Sequence, residues 1–267
     1  MQTPYRVADE TFVLPFSFDI PGLGLLYLNS MVIRGAEPVL VDTGAPVHRE
    51  EFLKTAFSLV DPKDVRWIYL SHDDRDHSGN IMQVLERCPN ARIVTDFVGF
   101  GRMSEEFPLP PSRLRLLNDG ETLDVGDRKL TALRPPLFDS PSTRGLWDAK
   151  TGVYFSSDCF GSFVPNQAEE VGDVPREAFE QGFAFFNRIN HPWHTLVDRQ
   201  KLSAVIDRIR RLDASVIVSY HAPHARGRSE DLLRMIDRVA AMDALAPMTQ
   251  ADLEKMLAEP GPESKAA

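Results

Sequence analysis

The stretch Ser71-His72-Asp73-Asp74-Arg75-Asp76-His77-Ser78-Gly79 follows the apolar run Val65–Leu70 directly and sets two imidazoles and three carboxylates close together. Asp and Ser are common where a strand gives way to a helix, because their side chains cap helix N-termini. That accounts for one or two of the acids, but not for five candidate ligands crowded into one turn. Arg75 supplies a single positive charge against three carboxylates. A bound metal ion is the economical counter-charge, and a mixed imidazole–carboxylate set suits zinc, iron or manganese.

Working outward, strand-like runs at Thr11–Phe16, Leu25–Arg34 and Pro38–Asp42 are rich in β-branched and aromatic residues and are broken by Gly or Pro. Arg49–Leu59 carries apolar residues at helical spacing, and Ile81–Leu85 reads as a short helix before the strand Ala91–Asp96. Leu123–Leu130 is hairpin-like, turning at Gly126, and Gly152–Ser156 is a strand running into Asp158. Arg199–Leu212 is the clearest helix, with Leu202, Val205, Ile206, Ile209 and Leu212 on one face. Ser215–Ser219 is a buried-looking strand that ends at Tyr220 and His221, and Ser229–Leu245 and Thr249–Leu257 read as amphipathic helices. No long linker, repeat or low-complexity tract divides the chain. These two mixed β/α halves are consistent with sheets packed inside helical layers, in one domain over residues 1–259 with a frayed tail at 260–267.

Composition narrows the class. The chain has 267 residues and a formal charge of −9, with 43% hydrophobic and 26% charged residues, which fits a folded domain with a sizeable core. An acidic balance without a basic stripe argues against a nucleic-acid partner, and against a polybasic membrane patch. No apolar run approaches the ~20 residues of a membrane span, and the N-terminus lacks the layout of a signal peptide. Two cysteines, Cys88 and Cys159, do not make a disulfide framework. A cytoplasmic location is therefore expected.

The run His72-x-Asp74-x-Asp76-His77 resembles the His-x-His-x-Asp-His signature of the metallo-β-lactamase superfamily, with Asp74 at the second His. It is more similar still to the His-x-Glu-x-Asp-His-Ser-Gly version in the di-iron domain of flavodiiron proteins, and Ser78-Gly79 follow here as they do there. Val39–Gly44 is similar to the superfamily's early strand and turn, whose Asp, here Asp42, supports the metal loop from behind. Phe155–Gly161 resembles the segment carrying the carboxylate that bridges two metals, here Asp158. Val218–Pro223 resembles the stretch that supplies the last His, here His221. The four motifs lie in the family's order. The resemblance implies a four-layer αββα metallo-β-lactamase-like sandwich of the α/β class.

One departure stands out. The family supplies a further His between the first motif and the bridging Asp, and this chain has none between His77 and His191. The resemblance makes Asp139, in Pro135–Thr143, the natural substitute, an Asp-Ser-Pro turn being its bland alternative. It then implies His72, Asp74, Asp139 and bridging Asp158 at one metal, with Asp76, His77, His221 and Asp158 at the other. The carboxylate-rich set favours iron, with zinc or manganese as alternatives. His224 is read as a solvated loop residue or as a proton donor behind the ligands, and His191 and His194 as pocket lining or part of a packed aromatic loop.

Three functions follow. The resemblance implies a di-iron protein that binds or reduces dioxygen or nitric oxide. Flavodiiron proteins carry a C-terminal flavodoxin domain, for which too little sequence follows His221, and no Gly-rich phosphate loop is present. An external redox partner and no flavin are therefore expected. A hydrolase using a metal-bound hydroxide on an ester, thioester or phosphodiester is the second reading, and a non-enzymatic oxygen-sensing module the third. The Phe-rich segments Phe97–Pro111 and Phe160–Pro192 are candidate specificity loops; Phe183, Phe185 and Phe186 line a pocket or form a homodimer surface.

Overall fold

The structure is a computed structural model in which residues 3–258 are described. Residue 259 and the tail expected at 260–267 lie outside the described residues. A first sheet of seven strands runs β1 (Tyr5–Ala8), β2 (Thr11–Ile20), β3 (Gly24–Ile33), β4 (Val39–Val41), β5 (Trp67–Tyr69), β6 (Arg92–Thr95) and β7 (Leu114–Leu116), in that spatial order. Pairing is antiparallel from β1 to β4 and parallel from β4 to β7. The second sheet has six strands: β8 (Thr122–Asp124), β9 (Lys129–Leu133), β10 (Gly145–Asp148), β11 (Val153–Phe155), β12 (Val216–Val218) and β13 (Ala225–Arg226), ordered 13-12-11-10-9-8. Within it only β11 and β12 pair in parallel.

Helices α1 (Arg49–Leu59), α2 (Arg75–Ser78), α3 (Ile81–Arg87) and α4 (Phe97–Met103) connect strands of the first sheet. In the second half α5 (Arg176–Asn190) and α6 (Arg199–Arg210) connect β11 to β12, and α7 (Ser229–Val239) and α8 (Gln250–Ala258) follow β13. The strand period of two shows how the layers stack. On β11, Val153 and Phe155 enter the core shared with the first sheet and α1, whereas Tyr154 between them faces the opposite core with Phe179 and Phe183 of α5, Ile206 of α6 and Leu233 of α7. On β12, Val216 and Val218 face inward and Ile217 outward in the same way. Each sheet thus has one face against the other sheet and one under helices, which is the four-layer αββα sandwich.

The Phe-rich segment 160–192 holds helix as well as loop. Phe179, Phe183 and Phe186 are buried on one face of α5, at the spacing of a helix stripe. Phe183 is therefore a core residue, not part of an exposed dimer surface. Phe185 lies on another side of α5, against Phe163 at 5.8 Å between ring centroids. Likewise 97–103 is α4. Among the described residues, no helix is long and apolar enough to cross a membrane.

Candidate metal centre

Every segment bearing a candidate ligand leaves a strand on the same side of the two sheets. Asp42 follows β4, residues 71–79 follow β5, Asp158 follows β11, His221 follows β12, and Asp139 sits in the connection from β9 to β10. Clefts at the carboxyl ends of parallel strands are the usual place for ligands in open α/β sheets.

The structure brings seven side chains together. His72 Nε2 lies 3.7 Å from Asp74 Oδ2, 3.8 Å from Asp139 Oδ2 and 3.9 Å from Asp158 Oδ1. On the other side of Asp158, His77 Nε2 lies 2.9 Å from its Oδ1, and His221 Nε2 3.4 Å from its Oδ2. Asp76 Oδ2 is 3.5 Å from His77 Nε2 and 3.6 Å from His221 Nε2. Three overlapping groups result, His72–His77–Asp158, Asp76–His77–His221 and His72–Asp74–Asp139, each with donor atoms within 4.8 Å of one another.

Two of the three imidazoles are held in the tautomer that points Nε2 at the centre. His77 Nδ1–H donates to Asp42 Oδ2 at 2.7 Å, and His221 Nδ1–H donates to the Tyr27 carbonyl at 2.8 Å. Both acceptors lack a proton to give, so the neutral ring carries its proton on Nδ1 and Nε2 is the nitrogen left for a metal. His72 Nδ1 lies 3.1 Å from Ser157 Oγ. His72 Nε2, His77 Nε2 and Asp158 Oδ1 are buried without a hydrogen-bond partner. Orphaned buried acceptors of this kind are costly, and a cation among them is what their chemistry fits. Asp158 is 4% exposed, whereas Asp74 is 46% and Asp76 28% exposed, so the cluster is closed at the shared carboxylate and opens to solvent beside the other two.

Proton affinities report the same charge density. Burial alone would push His72 down, as does His77, but Asp158, Asp74 and Asp139 outweigh both and hold it up at about 9. His77 and His221 are likewise raised, their neighbouring carboxylates overcoming burial. Asp158 sits well below the usual carboxylate range, because His221, His77 and His72 overcome its burial. Burial first, then the charge of Asp158, pushes Asp139 up to about 6.

Asp42 stands behind this group. It accepts from Ser71 N at 2.7 Å and Ser71 Oγ at 2.8 Å as well as from His77. To do so it adopts φ +57°, a left-handed conformation that costs a non-glycine residue energy and recurs at functional sites. Ser157, at φ +54°, is held the same way between Ser71 and His72.

Four of the five side chains in the opening cluster face the centre. Asp73 does not: it turns to Ser140, Ser142 and Arg102. His224 also lies elsewhere, with its ring 5.4 Å from Tyr5 and its Nε2 3.8 Å from Glu170. His191 and His194 are both buried, and His191 sits 6.4 Å from Phe186 and 6.3 Å from Trp193 between ring centroids. Phe186 separates His191 from His221, whose ring it meets at 5.1 Å. Asn190, which no sequence pattern singles out, donates to Asp158 Oδ2 at 3.2 Å. The carbonyl of Tyr27 leaves no trace in sequence either, since any residue would supply it.

A double sheet between helical layers, with a cluster of histidines and carboxylates on the loops at one end, defines a metallo-β-lactamase-like fold. The chain belongs, more narrowly, to the family described as ODP family beta lactamase, whose model matches residues 27–222. It is 32% identical over 160 residues to a putative diflavin flavoprotein A 2 of Nostoc sp., covering 59% of this chain and 27% of that one. It is 28% identical over 171 residues to an anaerobic nitric oxide reductase flavorubredoxin of Pectobacterium atrosepticum, covering 63% of this chain and 34% of that one. The solved rubredoxin oxygen:oxidoreductase of Desulfovibrio gigas superposes with a TM-score of 0.80 at 20% identity, over 90% of this chain and 62% of that one. The chain thus spans only about a quarter to a half of the curated relatives it matches first.

Proposed function

We propose that the chain holds two metal ions, iron in preference to zinc or manganese, and binds or reduces dioxygen or nitric oxide with electrons from an external donor. The observation that carries the reading is Asp158, a buried carboxylate set between the two groups of ligands: its Oδ1 lies 3.9 Å from His72 Nε2 and 2.9 Å from His77 Nε2, and its Oδ2 lies 3.4 Å from His221 Nε2. His72, Asp74 and Asp139 complete one set and Asp76, His77 and His221 the other. All seven positions are carboxylate or imidazole donors with no thiolate, a set that suits iron. Iron held there supplies the binding and reduction of a diatomic molecule. The protein's part is to keep the imidazoles in one tautomer, through Asp42 and the Tyr27 carbonyl, and to leave the Asp74–Asp76 side open. The relatives named for nitric oxide reduction and oxygen reduction support this choice of substrate.

The test is metal analysis of protein isolated without added metal, followed by gas consumption with a supplied reductase. Two irons per chain and steady uptake of dioxygen or nitric oxide are expected. Two irons that bind the gas without turnover point instead to sensing. Two zincs with turnover of a chromogenic ester or phosphodiester overturn the iron reading in favour of a hydrolase.

A further inference from the structure

Asp73 sits between two proposed ligand neighbours, His72 and Asp74, yet its carboxylate leaves the centre. Oδ1 accepts from Ser140 Oγ at 2.8 Å and from Ser142 Oγ at 2.5 Å, and Oδ2 pairs with Arg102 Nε at 2.9 Å. Arg102 Nη1 also donates to Ser140 Oγ at 3.3 Å, which closes a small ring of contacts. The Asp73 side chain is 7% exposed, and Ser140 and Ser142 are buried. These two serines flank Pro141 in the turn that immediately follows Asp139.

The remainder of that turn is braced from other sides. Arg144 Nη1 donates to the Pro141 carbonyl at 3.1 Å, and Arg144 Nη2 pairs with Asp96 at 2.7 Å. Upstream, Trp193 Nε1 donates to the Phe138 carbonyl at 2.9 Å. α4 closes over the turn so tightly that a Cβ at Gly99 would stand 3.1 Å from Ser142 Cβ. Asp73 joins the turn to the loop that carries His72 and Asp74 through its side-chain acceptors, and the Arg144 amide adds a main-chain bond to the Ser71 carbonyl at 2.8 Å.

We propose that Asp73 is a positioning residue for one half of the centre: through Ser140, Ser142 and Arg102 it fastens the Asp139 turn to the His72–Asp74 loop, so that the carboxylate replacing the absent histidine reaches the metal. The inference rests on the ligand reading above and adds to it a residue that touches no metal. Its physical basis is the short reach of aspartate. A carboxylate carries fewer carbons than an imidazole to span the gap, so Asp139 serves as a ligand only if its backbone is drawn in. Removing Asp73 takes away the acceptor that both hydroxyls share; their mutual contact at 2.9 Å can satisfy one of them and leaves the other buried without an acceptor, and the turn is then free to relax away from His72. On the other half of the centre, Asp73 meets Ser78, beside His77, through its main-chain carbonyl, which accepts from Ser78 Oγ at 2.9 Å and does not involve the clamping carboxylate.

The test is titration of the full chain, stripped of metal, with zinc alone against a chromogenic chelator. Wild type is expected to take up two ions in resolvable steps, and Asp139→Ala to lose one of them. Asp73→Ala should weaken that same step by about tenfold or more, as supporting partners of ligands commonly do, and leave the other step unchanged. Ser140→Ala with Ser142→Ala should reproduce the loss, and adding Asp73→Ala to that pair should deepen it little. Asp73→Asn, which keeps an acceptor oxygen, should restore part of the affinity and covers the case in which the alanine variant does not fold. Wild-type affinity for both ions in Asp73→Ala overturns the clamp, as does equal weakening of both steps. A wild-type chain that takes up no ion overturns the ligand reading itself, a different failure.

Discussion

Asp42 Oδ2 lies 2.7 Å from His77 Nδ1, and both side chains are fully buried. The same carboxylate accepts the Ser71 amide and hydroxyl, so one strained residue after β4 orders the start and the end of the loop after β5. Asp42→Asn keeps the shape but sets an amide N–H against the imidazole N–H, forcing the ring to turn or change tautomer. Metal affinity should fall by about 10–100-fold, with the fold retained. Chelator competition on the wild type and the variant checks this; equal affinities would mean that Asp42 serves the loop and not the ligand.

Asp139 offers the opposite manipulation, a gain of imidazole. With His72 as its single nitrogen ligand, one half of the proposed centre is oxygen-rich, whereas His77 and His221 make the other half more nitrogenous. Asp139→His should move the first half toward borderline metals, raising the preference for zinc over manganese by about tenfold. Competition between the two ions, read by metal analysis after dialysis, measures the ratio. No change in the ratio would place Asp139 outside the ligand set.

Two glycines test how tightly the helical layer governs the centre. In an exposed helix Ala is favoured over Gly by about 0.5–1 kcal/mol. Gly101, in α4, has open space where a Cβ would stand, so Gly101→Ala should stabilise by about that amount. Gly182, in α5, would set its Cβ 1.9 Å from the Phe163 carbonyl oxygen, so the same substitution there should destabilise by about 1–3 kcal/mol. The segment it pushes carries Ser162, whose amide donates to the His221 carbonyl at 3.0 Å. Gly182→Ala should therefore also weaken metal binding, and Gly101→Ala should not. Urea denaturation of both metal-free variants, paired with zinc titration, separates the two effects.

What was legible in the sequence is what depends on residue type at fixed spacing. The loop 71–79, the strands that alternate between two cores, and Asp42, Asp158 and His221 at strand ends are all of this kind. Asp139 was reached only through an absence, and its place 3.8 Å from His72 needed the tertiary structure. The Phe-rich segment 160–192 reads as a specificity loop, yet Phe179, Phe183 and Phe186 have the spacing of the helix α5 that they form. Asp73 looked like a fifth ligand because sequence gives proximity and not direction. Asn190 and the Tyr27 carbonyl were invisible, since their role lies in where the backbone passes and not in a pattern.

The charge density at the centre predicts a pH dependence of metal uptake. In the metal-free protein His72 is raised to about 9, so it carries a proton at neutral pH that a metal ion must displace. His77 and His221 are raised in the same direction. A group raised above its ordinary value stays protonated until the pH passes its folded value, and each such proton opposes the cation in that window. Affinity should therefore climb with pH from about 6.5 to about 9, by up to about tenfold per pH unit for each proton displaced. Binding at about pH 7.5 should also release protons, which calorimetry in two buffers of different ionisation enthalpy detects. Neutralising Asp74 by Asp74→Asn lowers the His72 value, because their hydrogen bond is one of the effects that raise it. That variant should bind metal more weakly at high pH yet with a shallower slope. A slope unchanged by Asp74→Asn would show that the displaced protons come from the other half of the centre.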